Sequence, residues 1–349
     1  MVRPTPPLRL DTRDDTMRHF AKFLIAAALL PTAALAQDFD GIAEAAKKEG
    51  TLVVYNAGIG VQLYQKVAAE FEKAYGIKVE TIAARGSEMT ERIRSEQATG
   101  RFAGDVQMHA ASVIAQQQTV SDFVQPHGGI PNAKGLRAPF AASDIQIPGY
   151  VQAYGILMNT NLVKPEDQPK AWTDLLDPKW KGKILSDDLR PIGAGQGLFT
   201  AMQKAYGRPF HEKLASQELV FSRDPGNDAR RIARGEYALY IPLVYALAYD
   251  LKGLPVKALI PADGVPYTSI DLAILKNAPH RNAARLFINY FLSLESQLIY
   301  ANAWMPPVTV AAAERANDDA KPYANVRLMS TTQWQEREAM VKLANEIYK

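Results

Sequence analysis

The feature that most constrains the fold is a unit over residues 51–95, in which two strand-and-helix pairs follow each other directly. Residues 51–55 form a short run of β-branched and aromatic side chains, which is typical of a buried parallel strand. Residues 61–75 repeat apolar side chains at the spacing of a helix turn, which predicts an amphipathic helix. Residues 78–83 predict the next strand, and Ser87, a good N-cap residue, predicts the start of a second helix. This order of elements predicts a doubly wound α/β sheet.

Two loops of this unit are candidates for ligand contact, because ligands bind beyond the carboxyl ends of parallel strands. The first loop, residues 56–60, contains Gly58 and Gly60, which allow tight turns and close approach of a ligand. The second loop, residues 85–87, leads into the second helix. We expect both loops to lie at the rim of a cleft, together with His109 at the end of a third strand.

The rest of the chain predicts a second group of strands and helices. A length of 349 residues suits two domains of ordinary size. Two irregular segments rich in proline and glycine, residues 125–147 and 261–264, predict two crossings between the domains. The predicted fold class is therefore α/β, with two doubly wound lobes joined by a two-crossing hinge. The predicted divisions are residues 37–145 with 267–310 for lobe one, 146–266 for lobe two, and 311–349 for a C-terminal helical segment packing on the lobes.

The amino terminus predicts export. Residues 17–22 carry basic side chains, residues 23–30 form a short apolar core, and a small-x-small pattern ends at Ala36. The apolar core is too short to span a bilayer, and the alternative interpretation is a buried N-terminal helix. We predict a signal peptide within residues 1–36 with Met17 as the initiator, cleavage after Ala36, and a periplasmic protein.

Charge and cysteine content narrow the function classes. Removal of residues 1–36 would take five of the 40 Lys and Arg residues and three of the 37 Asp and Glu residues, which leaves a nearly neutral chain. The chain therefore has no excess of positive charge, and a nucleic-acid partner is not predicted. The absence of cysteine excludes disulfides, thiolate zinc sites and cysteine nucleophiles.

A glycine-rich loop raises the question of anion or nucleotide binding. Residues 193–197 follow G-x-G-x-G rather than the dinucleotide spacing G-x-G-x-x-G, so nucleotide binding is not predicted. Backbone N–H groups at a helix N-terminus would suit an anion, and glycines that serve only to turn the chain are the alternative. Asp187 and Asp188 precede this loop, where they could hold a hard cation or, as we favour, act as solvated carboxylates or partners of Arg190.

No pattern of an enzyme is present. The chain lacks a G-x-S-x-G nucleophile elbow and an H-E-x-x-H zinc motif, so no catalytic residue, metal site or cofactor is predicted. An exported hydrolase using Asp187 is the remaining enzyme hypothesis, and it has no activated nucleophile to support it.

Several segments together resemble one family over nearly the whole mature chain. They are residues 52–56 (LVVYN), 71–79 (FEKAYGIKV), 177–184 (DPKWKGKI) and 273–279 (AILKNAP). The chain resembles the type 2 periplasmic solute-binding proteins of ABC importers, in the branch that includes ferric-ion binders. This resemblance implies two α/β lobes that close on a small-molecule solute, a monomer that delivers the solute to an inner-membrane permease, and no catalysis.

The resemblance also allows the ferric ligands to be compared. Ferric binders of this branch use a first-loop histidine, a glutamate after the third strand and an adjacent tyrosine pair, and the corresponding positions here are Ile59, Ala110 and residues 243–244. Apolar side chains cannot supply the oxygen ligands that a hard trivalent cation needs. We therefore expect a small anionic organic solute, with a phosphate, phosphonate or carboxylate group. Ferric iron, with Tyr245 and a synergistic anion as ligands, is the alternative.

The predicted ligand-binding residues lie in strand-end loops of both lobes. Arginine side chains are included because guanidinium binds carboxylate or phosphate in a bidentate manner. The lobe-one residues are Asn56, Gly58, Arg85, Ser87, His109 and Ser112. Those assigned to lobe two and its strands are Tyr154, Ser186, Arg190, Gly193, Arg223 and Tyr245.

Overall fold

The computed structural model describes residues 1, 39, 41–57 and 61–349, with the side chain of Val61 excepted. The predicted signal peptide and the predicted site residue Gly58 therefore lie outside the described residues. No helix within the described part of the chain is long and apolar enough to cross a membrane.

Strands and helices alternate through most of the described chain. The strands are β1 (Thr51–Asn56), β2 (Lys78–Ala83), β3 (Val106–Ala110), β4 (Val124–Gln125), β5 (Ile147–Asn159), β6 (Ile184–Asp187), β7 (Val220–Ser222), β8 (Leu239–Val244), β9 (Val256–Leu259) and β10 (Tyr267–Leu275). The α-helices are α1 (Ile42–Glu49), α2 (Val61–Tyr75), α3 (Gly86–Thr99), α4 (Ala111–Ser121), α5 (Ala194–Ala215), α6 (Pro225–Ala233), α7 (Tyr245–Tyr249), α8 (Arg281–Phe291), α9 (Leu294–Ala301), α10 (Val310–Arg315), α11 (Lys321–Ala324) and α12 (Arg337–Ile347).

The strands form one continuous mixed sheet with two parallel groups. Its order is β2-β1-β3-β10-β5-β8-β6-β7, with β4 paired to β10 and β9 paired to β5. Strand β1 is parallel to β2 and β3, and β6 is parallel to β7 and β8. Both β10 and β5 are antiparallel to their neighbours. This is the mixed α/β fold that the sequence predicts.

Strand β5 connects the two groups of strands because it pairs with different partners at its two ends. Its first half, from Ile147 to Ala153, pairs with β10, whereas Tyr154 to Asn159 pair with β8 and β9. All thirteen of its residues are buried. We call the β1–β3 side with β10 the first half of the sheet and the β6–β9 side the second half. The residue boundaries of the lobes stay a prediction.

Aromatic side chains pack the helices of each half against one another. In the first half, Phe71 of α2 meets Phe287 of α8 edge to face, with 5.2 Å between ring centroids. In the second half, Phe199 stacks on His211 of the same helix α5 at 4.0 Å, and Tyr348, just beyond α12, lies against both rings. Burial of a phenylalanine side chain contributes about 1.5–3 kcal/mol, so these contacts hold the helices of each half together.

Two residues of types that commonly bound helices have different outcomes. Pro242, at which the sequence predicts the start of a helix, lies inside β8 instead, and the following helix is the short α7, from Tyr245 to Tyr249. Gly207, at which the sequence predicts the end of a helix, has a left-handed φ of 71° and separates two helical stretches within α5. The prediction for Pro242 is therefore wrong, whereas the break predicted at Gly207 is present.

Candidate ligand-binding site

The ends of β1, β2 and β3 lie beside one another at one edge of the sheet. The parallel register sets Asn56 next to Ala83 on one side and Met108 on the other. The chain leaves this edge through backbone hydrogen bonds from Ala84 N–H to the Asn56 carbonyl (3.3 Å) and from Ala57 N–H to the Met108 carbonyl (2.9 Å). The side chain of Asn56 is buried, and the two predicted loops follow the strands here.

Helix α3 begins at this edge two residues earlier than predicted. Arg85, rather than Ser87, occupies the N-cap position, and its backbone N–H donates to the Glu88 carboxylate at 3.4 Å. Both Arg85 and Ser87 are exposed. The carboxylate of Glu88 satisfies a backbone donor at the positive end of the helix, so Ser87 is not needed as a cap.

His109 joins the β3 end to the start of α3. Its Nδ1 accepts a hydrogen bond from Ala110 N–H (2.8 Å), so the proton lies on Nε2, which donates to the Gly86 carbonyl (3.1 Å). Burial lowers the pKa of His109, and the nearby Arg337 lowers it further, which keeps the ring neutral. A Cβ at Gly86 would lie 3.0 Å from this ring, so the ring would have to shift by a few tenths of an ångström to admit any other residue.

Ser112 lies in the first turn of α4 and contacts a residue that the sequence analysis missed. Its Oγ accepts a hydrogen bond from Arg337 at 2.9 Å, and Gln116 Oε1 accepts a second one at 3.0 Å. Arg337 begins α12, more than two hundred residues further along the chain. No local pattern marks this arginine, because only the tertiary fold brings α12 to α4.

In the second half of the sheet, an aspartate occupies the helix end that the sequence proposed for an anion. Asp187 Oδ2 accepts a hydrogen bond from Gly195 N–H in the first turn of α5, at 2.8 Å. A Cβ at Gly195 would collide with the Asp188 carbonyl oxygen, so only glycine fits there. Gly193, at the N-cap, is exposed, and the Ser186 hydroxyl donates to the Asp187 carbonyl at 2.8 Å. The protein's own carboxylate therefore takes the place of an anion at Gly195.

Asp188 and Arg190 form the ion pair that the sequence analysis favoured. Arg190 donates from Nε and Nη2 to the two carboxylate oxygens at 2.8 and 2.9 Å, and its guanidinium lies over the Phe221 ring. The pair lowers the pKa of Asp188 and raises that of Arg190. The positive charge of Arg190 is therefore already neutralised within the protein.

Arg223 is placed differently, although it lies close by. It follows β7, whose last residue Ser222 pairs with Asp187 in the parallel register. Arg223 is exposed, and within the described residues it takes part in no ion pair. Its charge lowers the pKa of Asp187, but burial has the larger effect and raises that pKa to about 6.

Tyr154 lies at the junction of the two halves. Its hydroxyl donates to Thr268 Oγ1 of β10 at 2.8 Å, and burial raises the pKa of the phenol. A Cβ at Gly197 would lie 3.4 Å from the Tyr154 ring, so the start of α5 comes close to this junction. Tyr154 therefore lies between β10 and the glycine-rich turn.

Tyr245 does not face a cleft as the sequence analysis expected. It is 1% exposed, its ring lies 4.9 Å from that of Tyr323, and its hydroxyl donates to the Leu259 carbonyl at 3.2 Å. Gly155 makes room for it, since a Cβ there would collide with the Tyr245 hydroxyl oxygen. Helix α7 begins at Tyr245 instead of Pro242, which turns this side chain into the core.

A buried carboxylate on β10 is a second residue that the sequence analysis missed. Asp271 lies opposite His109 in the antiparallel register, and its oxygens accept hydrogen bonds from Ser269 (2.5 Å) and Gln146 (2.9 Å). Burial raises its pKa to about 6. An acidic residue inside an apolar strand was a usable signal, because such a carboxylate needs nearby donors.

The predicted site residues form no metal site among the described residues, and they lie outside the two surface concavities described next. Among the described residues, no group of three or more His, Asp or Glu side chains could hold a metal ion. Two surface concavities of about 480 and 400 Å³ are lined by residues 166–180 and by parts of residues 131–135 and 292–311. Neither of these two concavities includes a predicted site residue.

Comparison with known proteins decides the family. A family model for bacterial extracellular solute-binding proteins matches residues 118–336, which is more than half of the chain. The chain belongs to this family. The predicted general function, a solute-binding component of an ABC importer, is thereby confirmed at the level of the family.

Three similar proteins illustrate the range within and around this family of solute-binding proteins. A putative 2-aminoethylphosphonate-binding periplasmic protein of Salmonella typhimurium is 25% identical over 293 residues, covering 78% of this chain and 81% of the relative. Iron uptake protein A2 of Synechocystis is 30% identical over 257 residues, covering 65% and 70%. The periplasmic binding protein AfuA of Actinobacillus pleuropneumoniae, solved with exogenous fructose-6-phosphate bound, has a TM-score of 0.65 at 22% identity, covering 85% and 98%.

Proposed function

We propose that this protein captures a small anionic organic solute between its two lobes and delivers it to the inner-membrane permease of an ABC importer. The solute carries a phosphate, phosphonate or carboxylate group. The protein acts in the periplasm as a monomer and performs no catalysis. The lobes comprise residues 37–145 with 267–310 and residues 146–266, and residues 311–349 pack on both.

The observation that carries this proposal is the set of arginines left without a carboxylate partner at the strand ends. Arg85 follows β2 and Arg223 follows β7, both are exposed, and neither takes part in an ion pair within the described residues. Arg190, by contrast, is neutralised by Asp188. Guanidinium groups bind phosphate and carboxylate strongly, so the unpaired arginines suit an anionic solute.

The relatives support the same class of solute. The Salmonella relative is named for a phosphonate, and the AfuA structure contains a sugar phosphate. The polar groups proposed to complete the contacts are Asn56, Gly58, Ser87, His109 and Ser112 on one side and Tyr154, Ser186 and Gly193 on the other. Asp187 is engaged with Gly195, which argues against its use as a hydrolytic nucleophile.

Isothermal titration calorimetry with 2-aminoethylphosphonate, fructose 6-phosphate and citrate tests the proposal, with glucose as the neutral comparison. We expect at least one anion to bind, and Arg85→Gln and Arg223→Gln each to weaken its binding about tenfold or more. Arg94→Gln is the matched control, because Arg94 lies in α3, the helix that Arg85 precedes, but pairs with Glu91. Binding of glucose and of none of the anions would reject the proposed solute class.

Ferric iron is the second candidate, because the relative at 30% identity is an iron uptake protein. Tyr245 would have to leave the core and give up its hydrogen bond to the Leu259 carbonyl in order to coordinate iron. Addition of ferric citrate to the protein distinguishes the two candidates. A phenolate-to-iron charge-transfer band that disappears in Tyr245→Phe would favour iron, and a colourless protein would favour the organic anion.

A further inference from the structure

The C-terminal helix α12 contacts both halves of the sheet. It packs on α5 of the second half, where Tyr348, just beyond its end, lies against Phe199 and His211. At its other end, Arg337 reaches α4 of the first half through Ser112 and Gln116. The first residue of α12 is therefore held between elements that belong to different halves.

The partners of Arg337 are unusual for a half-buried cation because both are neutral. The guanidinium donates to a serine hydroxyl and to a glutamine amide oxygen, and within the described residues no carboxylate lies within ion-pair distance. Burial lowers the pKa of Arg337. A buried charge without a counterion is costly, whereas an anion at this position would remove the cost.

A comparison with Arg137 shows that this is not simply a structural arginine bound to backbone. Arg137 is also partly buried without a carboxylate, but it donates to the carbonyl oxygens of Pro307 and Ala324 at 2.9 and 2.8 Å. Carbonyl groups that end helices and turns carry partial negative charge, which compensates a cation. Arg337 has no such carbonyl partner among the hydrogen bonds of the described residues.

The electrostatic surroundings of Arg337 add further positive potential to that of the unpaired guanidinium. Ser112 lies in the first turn of α4, where the helix dipole is positive and disfavours a cation. The charge of Arg337 also lowers the pKa of His109, which precedes this helix. Hence the cation and the helix end form a region of positive potential beside the neutral histidine.

We propose that Arg337 binds the anionic group of the solute and is the contribution of the C-terminal helix to specificity. This inference rests on the proposed function, because it names a contact for the same class of solute. The guanidinium keeps one neutral partner and turns its remaining donors to the phosphate, phosphonate or carboxylate oxygens. Solutes without a negative group then gain nothing at this position.

Calorimetry of Arg337→Gln and Arg337→Lys with 2-aminoethylphosphonate, fructose 6-phosphate and citrate tests the inference. A hydrogen bond to a charged group is worth about 1.5–3 kcal/mol, so we expect Arg337→Gln to raise Kd about 10- to 100-fold. Arg337→Lys should lose less affinity for the anion than Arg337→Gln, since lysine keeps the charge but not the bidentate geometry. Lys342→Gln, which removes an exposed charge from the same helix, is the control and should leave Kd unchanged.

The pKa of His109, followed by NMR, supplies a second readout that a purely structural role would not move. Anion binding beside Arg337 should raise this pKa in the native protein, and Arg337→Gln should raise it in the free protein and abolish the effect of the anion. If none of the three anions binds the native protein, the proposed function fails, and the inference fails with it. If an anion binds with the same Kd in native protein and Arg337→Gln, the inference alone is overturned.

Discussion

Substitution of Asp187 by asparagine should make the protein more stable at neutral pH. The carboxylate of Asp187 is nearly buried, and it accepts a hydrogen bond from Gly195 N–H at the start of α5. Burial raises the pKa from 3.8 to about 6, which outweighs the hydrogen bond and the charge of Arg223. An asparagine can still accept the Gly195 hydrogen bond and carries no charge to bury.

The sign and size of this difference in stability follow from the pKa of Asp187. A raised pKa means that the folded protein binds the proton more tightly than the unfolded chain does. The corresponding stability is therefore fully present below the unfolded pKa of 3.8 and is lost as the pH rises through about 6. A difference of about 2 in pKa corresponds to about 3 kcal/mol. The Asp187→Asn variant is free of this loss, so its advantage grows over that window.

Urea denaturation of both proteins at several pH values, without solute, measures the difference in free energy of unfolding. Other titrating groups, including the buried Asp271, contribute equally to both proteins and cancel in the difference. We expect the two stabilities to be similar near pH 4 and Asp187→Asn to be ahead by about 3 kcal/mol near pH 7.5. A difference that stays constant across this range would refute the reasoning, because it would mean that Asp187 titrates normally in the folded state.

The packing and the ion pairs support three further predictions. Gly86→Ala should weaken anion binding in calorimetry and lower the melting temperature, because the added Cβ would lie 3.0 Å from the His109 ring. Gly135→Ala, which has open space around the added Cβ, should change neither quantity. Arg190→Gln should lower the free energy of unfolding by about 1 kcal/mol, because it removes a partly exposed ion pair. It should leave the Kd of an anion unchanged in titration calorimetry, whereas Arg223→Gln should raise that Kd. Tyr245→Phe should cost about 1 kcal/mol in urea denaturation through its lost buried hydrogen bond, and an accompanying loss of anion affinity would contradict its placement in the core.

The parts of the fold that the sequence predicted are those determined by local patterns. The apolar spacing of α2 and the β-branched runs of β1 and β2 predicted three elements and their parallel order. Parallel order in turn places the ends of β1 and β2 together, because the crossover connections leave no other arrangement in a doubly wound sheet. Helix boundaries were harder to predict: the start of α3 depended on Glu88 as a capping partner instead of Ser87.

The candidate site was harder to predict from the sequence than the fold, because its decisive contacts join distant parts of the chain. The pairing of Asp188 with Arg190 is local and could be favoured from the sequence alone. The approach of Arg337 to Ser112 depends on where α12 packs, and no periodicity encodes that. Likewise, a glycine-rich turn predicts free N–H groups, and only the folded structure shows that Asp187 already occupies one of them.

The distribution of charge between the two halves suggests how capture of a solute would be coupled to closure. In the second half, Arg190 is neutralised by Asp188, whereas the other predicted arginine, Arg223, is exposed and in no ion pair among the described residues. At the first half, Arg85 has no carboxylate partner among the described residues, and neither has Arg337, which reaches α4 from the C-terminal helix. Like charges facing each other across a cleft repel, whereas an anion between them attracts both sides at once. Under the proposed function, we expect a solute that bears a negative group to bind a closed arrangement better than an open one, which is the differential affinity that a closing motion requires.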